Sequence, residues 1–258
     1  MISYTLITGA SSGIGRELAI QLAARNHHLI LVARSKDKLE LLQSELLAKF
    51  KINVVYILSD LSKANAASAL YNEVIAKQYL VSGLINNAGF GDYGNFVEMP
   101  LDKDEEMIAV NINALLALTK LFGADMVKAG KGSIMNVASL LSFIPFPYYS
   151  VYSATKCFVL AFSETVAAEL EGTGVRVTAL CPGTVETPFH TASMRKTNAM
   201  SVNKPMTAEA VAKAGVELFI NGKRKKIVGF SNWFVSNLPR VMPDFLMMKI
   251  KKHLASLK

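Results

Sequence analysis

The sequence predicts an α/β fold, a doubly wound parallel sheet with helices on both faces, as a single domain over residues 1–258. Short apolar runs alternate with longer segments of helical periodicity, and no linker rich in Pro, Gly or Ser interrupts them. Hydrophobic residues make up 51% of the chain and charged residues 19%, which supplies a core and excludes a disordered protein. Strands are expected at 4–8, 28–33, 53–59, 83–86, 132–138, 175–181 and 226–228, and helices at 15–25, 36–49, 63–78, 103–127 and 151–171.

Cysteine and histidine usage argues against a metal site. Cys157 and Cys181 are too few for a disulfide framework or a cysteine-built metal centre, and the four histidines lack metal-ligand spacing. Neither a signal peptide nor an uninterrupted apolar run of about 18 residues is evident. We therefore expect a cytoplasmic protein that binds no metal and does not cross a membrane.

The formal net charge of +8 is concentrated at the C-terminal end. Residues 223–258 hold nine Lys or Arg and one acid, Asp244, whereas the preceding residues balance. This distribution does not favour nucleic acid as a partner, because the body of the protein is neutral. The segment 223–258 also has apolar residues on one face of a possible helix, which fits peripheral membrane contact, an acidic acyl-carrier partner, or packing with solvated lysines.

A glycine-rich turn follows the first strand, with the sequence TGASSGIG at residues 8–15. Gly9, Gly13 and Gly15 would permit a tight turn, close approach of a phosphate to the backbone, and close packing of the next helix. The position between a strand and a helix favours a dinucleotide site, although a sharp turn without a ligand gives the same pattern.

The end of the second strand bears on which dinucleotide would bind. An acidic residue at this edge would grip the ribose hydroxyls of NAD, but Ala33 and Arg34 stand there. Because Arg34 can pair with a 2′-phosphate, NADP(H) is favoured over NAD(H). The alternative is that Arg34 is a solvated charge at the strand end.

Tyr152 and Lys156 lie one helical turn apart, so their side chains project from the same face. A nearby ammonium is expected to lower the pKa of the Tyr152 phenol and allow it to transfer a proton. Ser139 follows the strand 132–138 and would hydrogen-bond a substrate oxygen at the edge where parallel sheets bind ligands. The spacing leaves nearby competitors open, namely Tyr148, Tyr149, Ser142, Ser150 and Ser153.

These features resemble the short-chain dehydrogenase/reductase family, whose motifs follow one another here from Thr8 to about Thr187. The motifs are TGASSGIG at 8–15, Asp60-Leu61, NNAG at 86–89, Asn111 within VNIN, Ser139, YSATK at 152–156, and PGTVET at 182–187. The resemblance implies a Rossmann fold, an oxidoreductase activity with a nicotinamide dinucleotide, and a homodimer or homotetramer.

The resemblance also implies a role for each matching residue. Asn111, Ser139, Tyr152 and Lys156 would form the catalytic tetrad, with Asn111 holding a proton-relay water and Asn86 bracing the central strands. Cofactor contacts would come from Gly9, Ser11, Ser12, Gly13, Ile14 and Gly15 at the pyrophosphate, Arg34 at the 2′-phosphate, Asp60 and Leu61 at the adenine, Asn87, Ala88 and Gly89 at the adenine ribose, and Tyr152, Lys156, Pro182, Gly183, Val185 and Thr187 at the nicotinamide side. Ser12 departs from the family, since many NADP-preferring members carry a basic residue there.

The predicted reaction is hydride transfer between a nicotinamide and a carbonyl carbon, coupled to proton transfer through Tyr152. Apolar residues of 140–149, with Phe90, Tyr93, Phe189 and Met194, favour a hydrophobic substrate such as an acyl, steroid-like or aromatic ketone, unless they are core or subunit contacts. Residues 188–222 are expected to form a substrate lid. Two other functions stay open, a nucleotide sensor without turnover and an epimerase or lyase that uses the nicotinamide transiently.

Overall fold

Seven parallel strands form the central sheet of the computed structural model, which describes residues 2–187, 194, 197–198, 205–222 and 224–256. The strands are β1 (Ser3–Thr8), β2 (His28–Ala33), β3 (Val54–Leu58), β4 (Leu80–Asn86), β5 (Gly132–Val137), β6 (Val175–Cys181) and β9 (Lys225–Ile227). Two short strands, β7 (Val185–Glu186) and β8 (Met206–Thr207), pair separately. The order in the sheet is β3-β2-β1-β4-β5-β6-β9, which confirms the predicted doubly wound Rossmann-type fold.

Helices cover both faces of the sheet. They are α1 (Gly13–Ala23), α2 (Lys36–Lys49), α3 (Ala66–Ala76), α4 (Leu101–Ile108), α5 (Leu115–Lys128), α6 (Ser150–Glu169), α7 (Ala208–Asn221), α8 (Phe230–Asn237) and α9 (Asp244–Ala255). A π-helical stretch, Ala109–Ala114, joins α4 to α5. Since the strand order reverses direction between β1 and β4, a crevice opens between the carboxyl ends of these two strands.

The central strands are apolar on both sides because each side faces a separate core. In β2, Leu29 and Leu31 belong to the core beneath α1, α2 and α7, whereas Ile30 and Val32 belong to the core beneath α3 and α5. Successive side chains of a strand point to opposite faces, so a fully buried strand has a continuous apolar sequence. This is why the bounds predicted for β2 and β6 agree with the structure.

Among the described residues, one helix is long and apolar enough to cross a membrane by length and composition, Leu101–Lys128. Its mean hydropathy is 1.6 and 44% of the apolar window is buried. Leu118, Phe122 and Met126 lie in the core against the sheet. Packing against the sheet therefore explains why the face of this helix that carries Leu118, Phe122 and Met126 is apolar.

The expected lid over residues 188–222 is wrong in its second half. Helix α7 buries Val211, Ala212 and Val216 in the core, and Gly215 brings its backbone close to Leu18 of α1. The apolar residues of α7 recur at helical spacing, and this stripe packs beneath the sheet rather than over a pocket. The other part of the expected lid, 188–193, 195–196 and 199–204, lies outside the described residues.

We predict that Phe122→Ala lowers the free energy of unfolding by about 3–5 kcal/mol, because it leaves a cavity in the core beneath α5. Phe96→Ala is the matched control, since Phe96 is 59% exposed and its loss should change the value by less than about 0.5 kcal/mol. Urea unfolding at one fixed protein concentration measures both. Equal effects of the two substitutions would contradict the packing described for α5.

Candidate active site

The carboxyl ends of β1 and β4 are fastened together by Thr8, Asn87 and Ala88. The Thr8 hydroxyl oxygen accepts hydrogen bonds from the backbone N–H groups of Asn87 and Ala88, both at 3.0 Å. The Asn87 side chain donates to the Thr8 carbonyl oxygen at 2.9 Å. The NNAG segment is thereby held directly beside the glycine-rich turn.

The glycine-rich turn leaves no room for side chains where it meets this segment. Gly9 has φ of +67°, and a Cβ there would lie 2.8 Å from Asn87 Nδ2 and 2.9 Å from Ala88 Cα. A Cβ on Gly15 would collide with the Gly9 carbonyl oxygen. Helix α1 begins at Gly13 without a side-chain cap from Ser12, so its first N–H groups remain available to an anion.

At the other end of the crevice, Arg34 lies among acidic side chains. Its side chain is 65% exposed, with Nη1 at 3.5 Å from Glu106 Oε1 and 3.9 Å from Asp60 Oδ1. A hydrogen bond from the Ser62 hydroxyl lowers the pKa of Asp60, and the Arg34 charge acts in the same direction. Lys38, in the first turn of α2, also lines this cavity. The sequence prediction missed it, although it is a second cation four residues after Arg34.

Lys156 is a buried cation held at the end of β5. Its side chain is 5% exposed, and Nζ donates a hydrogen bond of 2.8 Å to the Val137 carbonyl oxygen. Burial lowers the pKa of the Lys156 ammonium to about 8. The backbone of the same residue is also fixed, because the Ser142 hydroxyl donates to the Lys156 carbonyl oxygen at 2.7 Å.

Tyr152 lies beside both Lys156 and Ser139, as the helical spacing predicted. Lys156 Nζ is 5.8 Å from the centroid of the Tyr152 ring, and the hydroxyl groups of Tyr152 and Ser139 are hydrogen-bonded. The expected fall in the pKa of Tyr152 is wrong for this structure. Burial raises that pKa to about 12, and the hydrogen bond with Ser139 only partly offsets the rise. Tyr152 is therefore a protonated hydrogen-bond donor at neutral pH.

The Asn111 side chain fastens three segments together within the π-helical stretch. Its Nδ2 donates to the Phe90 carbonyl oxygen at 2.9 Å and to the Thr155 hydroxyl at 3.1 Å, while Oδ1 accepts from the Phe90 N–H at 3.1 Å. Asn111 is 1% exposed and does not line the cavity. Its amide thus positions the loop after β4 against α6.

Asn86 braces the central strands, as expected. Its Nδ2 donates to the Asn136 side-chain oxygen at 2.9 Å and to the Thr119 hydroxyl at 3.0 Å. The structure also distinguishes Ser139 and Tyr152 from the other candidates for their roles. Ser142 and Ser153 make hydrogen bonds within the fold and do not line the cavity. Tyr149 is the competitor that lines the cavity, where burial raises the pKa of its phenol to about 12.

One cavity of about 790 Å³ connects these groups. Every predicted site residue except Gly15 and Asn111 lines it, from Ser11 and Ile14 at the turn, through Leu61 and Gly89, to Pro182, Gly183, Val185 and Thr187. Beyond Ser139 and Tyr152 the wall becomes apolar, with Leu140, Leu141, Ile144, Phe146, Tyr149, Met194, Val235 and Leu254. Val235 and Leu254 come from α8 and α9, which the sequence did not place at the site.

The expected pocket residues divide into those that line the cavity and those that support it. Phe90 and Met194 line it. Tyr93 instead donates from its hydroxyl to the Ala255 carbonyl oxygen at 2.6 Å and so fastens the end of α9 over the pocket. Phe189 lies outside the described residues.

The fold and the site define a dinucleotide-binding protein of the Rossmann type. The glycine turn provides free N–H groups without side-chain obstruction, and the cavity extends from the turn to Lys156. Among the described residues the Lys156 ammonium makes one hydrogen bond, so its other donors are available to ribose hydroxyls. These residues fit a nicotinamide dinucleotide.

The family model for short chain dehydrogenases matches residues 3–198, and the chain belongs to this family of oxidoreductases. It is 34% identical over 212 residues to the very-long-chain 3-oxoacyl-CoA reductase of Pyrenophora tritici-repentis, covering 81% of this chain and 62% of that protein. It is 32% identical over 182 residues to the probable oxidoreductase EphD of Mycobacterium bovis, covering 70% of this chain. The chain spans 31% of the length of that relative.

A solved structure of similar fold is the short-chain dehydrogenase from Sphingobium yanoikuyae in complex with NADPH. The TM-score is 0.81 at 30% identity, and the match covers 93% of each chain. This similarity agrees with a nicotinamide dinucleotide as the cofactor of the present chain.

We predict that Gly9→Ala weakens dinucleotide binding at least about tenfold, because the new Cβ pushes the Asn87 and Ala88 segment away from the turn. Gly130→Ala is the matched control. Gly130 also has φ of +67°, but a Cβ there meets nothing within 4 Å, so only the backbone strain is shared. Calorimetric titration with NADPH measures both variants. Similar weakening in the two would place the cause in backbone strain rather than in the contact with Asn87.

Proposed function

We propose that this protein is an NADP(H)-dependent oxidoreductase that interconverts a carbonyl group and a secondary alcohol on a hydrophobic substrate. The observation that carries the proposal is the position of the Ser139, Tyr152 and Lys156 cluster. It lies where the polar part of the cavity, beside the glycine turn, meets the apolar part. A carbonyl at this junction would have hydrogen-bond donors at its oxygen and an apolar wall around the rest of its molecule.

The bound dinucleotide supplies the hydride, and the residues of this chain handle the proton. As negative charge develops on the carbonyl oxygen, the hydroxyl groups of Ser139 and Tyr152 donate to it, and Tyr152 then gives up its proton. Lys156 holds ribose hydroxyls and places a positive charge beside the phenol, which favours the phenolate left after this transfer. The raised pKa of Tyr152 suits the direction of reduction, since the phenol begins protonated.

Asn111 has a positioning role in this proposal. Both N–H donors of its amide bind Phe90 and Thr155, and its Oδ1 accepts from the Phe90 N–H. The proposed relay water would therefore be held by backbone groups of the π-helical stretch. This arrangement keeps Thr155 and the turn of α6 that carries Tyr152 in a fixed place.

Arg34 and Lys38 support NADP(H) over NAD(H). Both line the cavity where the second strand ends, and Ala33 puts no carboxylate at that edge. A 2′-phosphate would compete with Glu106 for the Arg34 guanidinium, whose present contact is long at 3.5 Å. The NADPH complex of the similar Sphingobium enzyme also supports this preference.

A hydrophobic ketone is the substrate class that this site favours, and the keto group of a 3-oxoacyl thioester belongs to this class. The apolar wall combines short aliphatic chains, Leu140, Leu141 and Ile144, with residues of α8 and α9. The name of the Pyrenophora relative, a very-long-chain 3-oxoacyl-CoA reductase, points to the same class.

We also propose a homodimer or homotetramer. In this assembly a second copy of the chain covers Leu116 and Val127, which are exposed on the outer side of α5.

The two rival functions differ in what they require. A nucleotide sensor without turnover needs the glycine turn but gives no reason for Ser139, Tyr152 and Lys156 to meet in the cavity. An epimerase or lyase would use the same residues but would consume no NADPH. A spectrophotometric assay of NADPH oxidation over ketones graded by chain length, repeated with NADH, separates these functions.

We predict opposite pH dependences for the two directions of the reaction. Oxidation needs the Tyr152 phenolate, whose pKa of about 12 lies above the assay range, so the oxidation rate should rise up to about tenfold per pH unit from about pH 6 to about pH 8. Reduction needs the phenol and should stay level to about pH 7, then fall as the Lys156 ammonium, with a pKa of about 8, loses its proton. Initial rates in both directions measure this.

Tyr152→Phe is the control for this assignment. It should lower turnover by about 100- to 10,000-fold while the Kd for NADPH changes little, because the ring and Lys156 remain. A variant that retains normal turnover, or that shows the same rise in oxidation with pH, would remove Tyr152 from the proton transfer.

We predict that Arg34→Ala raises the Kd for NADPH about 10- to 100-fold, since a charge-assisted contact to the 2′-phosphate is lost. The Kd for NADH should change by less than about twofold. Lys36→Ala is the matched control, because Lys36 is also an exposed cation but lies off the cavity. Equal loss of affinity for NADPH and NADH in Arg34→Ala would contradict the preference for NADP(H).

A further inference from the structure

The surface formed by α8 and α9, residues 230–252, is unusually apolar for exposed helices. Phe230 is 81% exposed, Phe245 is 79% exposed and Trp233 is 52% exposed. Other large apolar side chains left exposed on this surface are Phe234, Val241, Leu246, Met248 and Ile250. We call this surface the C-terminal cap. Exposed apolar residues in such number mark a contact surface rather than chance exposure.

Cations without acidic partners accompany these apolar residues. Arg240, Lys249 and Lys252 are exposed, and none forms an ion pair with a described residue. Elsewhere, some exposed lysines pair with carboxylates, as Lys77 does with Glu73, and others, such as Lys131, form no ion pair with a described residue. The cap differs in joining its cations to a large apolar surface. Asp244 is the one acid of the cap. The cap therefore presents an apolar surface with a strongly positive charge.

The cap is also the outer wall of the substrate end of the cavity. Val235 of α8 and Leu254 of α9 line the cavity from inside. The end of α9 is fastened to the fold by the bond from the Tyr93 hydroxyl to the Ala255 carbonyl oxygen, and Met247 and Ala255 are buried. The helices thus divide their residues between the cavity on one side and the exposed apolar surface on the other.

We propose that the C-terminal cap docks on an anionic lipid surface. Aromatic and aliphatic side chains would enter the boundary between headgroups and acyl chains, while the Lys and Arg heads contact lipid phosphates. Charge favours a lipid surface over a second copy of this chain, because a twofold contact would set two copies of the same positively charged surface against each other.

Docking would also give the substrate a route to the site, and this route presupposes the proposed function. A hydrophobic ketone dissolved in the membrane could pass to the apolar end of the cavity beside α8 and α9 without crossing water. Vesicle binding itself does not require turnover, so the two proposals can fail separately. Tyr152→Phe should bind vesicles as the unsubstituted protein does.

Trp233 provides the test, because it is the single tryptophan of the chain and lies in the cap. Vesicles of equal parts phosphatidylcholine and phosphatidylglycerol should shift its emission to shorter wavelength, and brominated acyl chains should quench it. Vesicles of phosphatidylcholine alone should have a much smaller effect. An emission spectrum that does not respond to the anionic vesicles would overturn the proposal.

Two sets of substitutions separate the contributions of the cap. Phe230→Ser with Phe234→Ser and Phe245→Ser should weaken vesicle binding, measured by flotation, at least about tenfold. Arg240→Glu with Lys249→Glu and Lys252→Glu should do the same for anionic vesicles. The matched controls carry equal changes on exposed residues of other surfaces: Leu41→Ser, Leu47→Ser and Ile75→Ser for the first set, and Lys51→Glu, Lys131→Glu and Lys213→Glu for the second.

The Kd for NADPH, unchanged within about twofold, would establish that the cap variants are folded, since none of these residues lines the cavity. Equal flotation of cap variants and controls would reject the cap as the docking surface. Light scattering supplies the remaining outcome. If the serine variant changes from an oligomer to a monomer while the unsubstituted protein ignores anionic vesicles, the cap is an interface between copies and the proposal is wrong.

Discussion

A buried ammonium group at the end of β5 is the constraint on which the site depends. Lys156 is 5% exposed, and a charge so far from water needs a fixed partner, which is the Val137 carbonyl oxygen at 2.8 Å. This contact forms only if β5 ends where it does and α6 crosses it in the observed register. Ser142, which binds the Lys156 carbonyl oxygen, fixes the turn between them, and this turn begins at Ser139. The contact of Lys156 with the end of β5 therefore also determines where Ser139 and Tyr152 lie.

Burial, rather than attraction between charges, dominates the electrostatics of this cluster. It lowers the pKa of Lys156 to about 8 and raises that of Tyr152 to about 12. Both shifts are toward the neutral form, because a charge loses more hydration than it gains from a partner near 6 Å away, given the 5.8 Å between the ammonium and the Tyr152 ring centroid. Lys156 nevertheless remains mainly an ammonium at pH 7. An apolar cavity of this kind holds a phenol ready to donate and makes the phenolate the costly state.

The sequence predicted those parts of the fold whose pattern is local. The bounds of β2, β6 and α2 agree with the structure because buried strands and amphipathic helices each have their own periodicity. The core position of α7 was missed because its apolar stripe follows a segment rich in Thr and Ser, which suggested a lid. The sequence does not show that this stripe packs against the sheet. The predicted fall in the pKa of Tyr152 was wrong for a related reason. The spacing of Tyr152 and Lys156 shows that the two residues are neighbours, but it does not show that burial removes water from the phenol. Val235 and Leu254 reach the cavity through tertiary packing that no motif records.

We propose that a carbonyl group bound between Ser139 and the apolar wall receives a hydride from the dinucleotide and a proton from Tyr152. The decisive experiment is mass spectrometry of the alcohol formed from a hydrophobic ketone with NADPH deuterated at the transferable position. We expect one deuterium on the carbinol carbon of the product, and none when the label is supplied by solvent. An alcohol without deuterium from the labelled NADPH would contradict hydride transfer at this site.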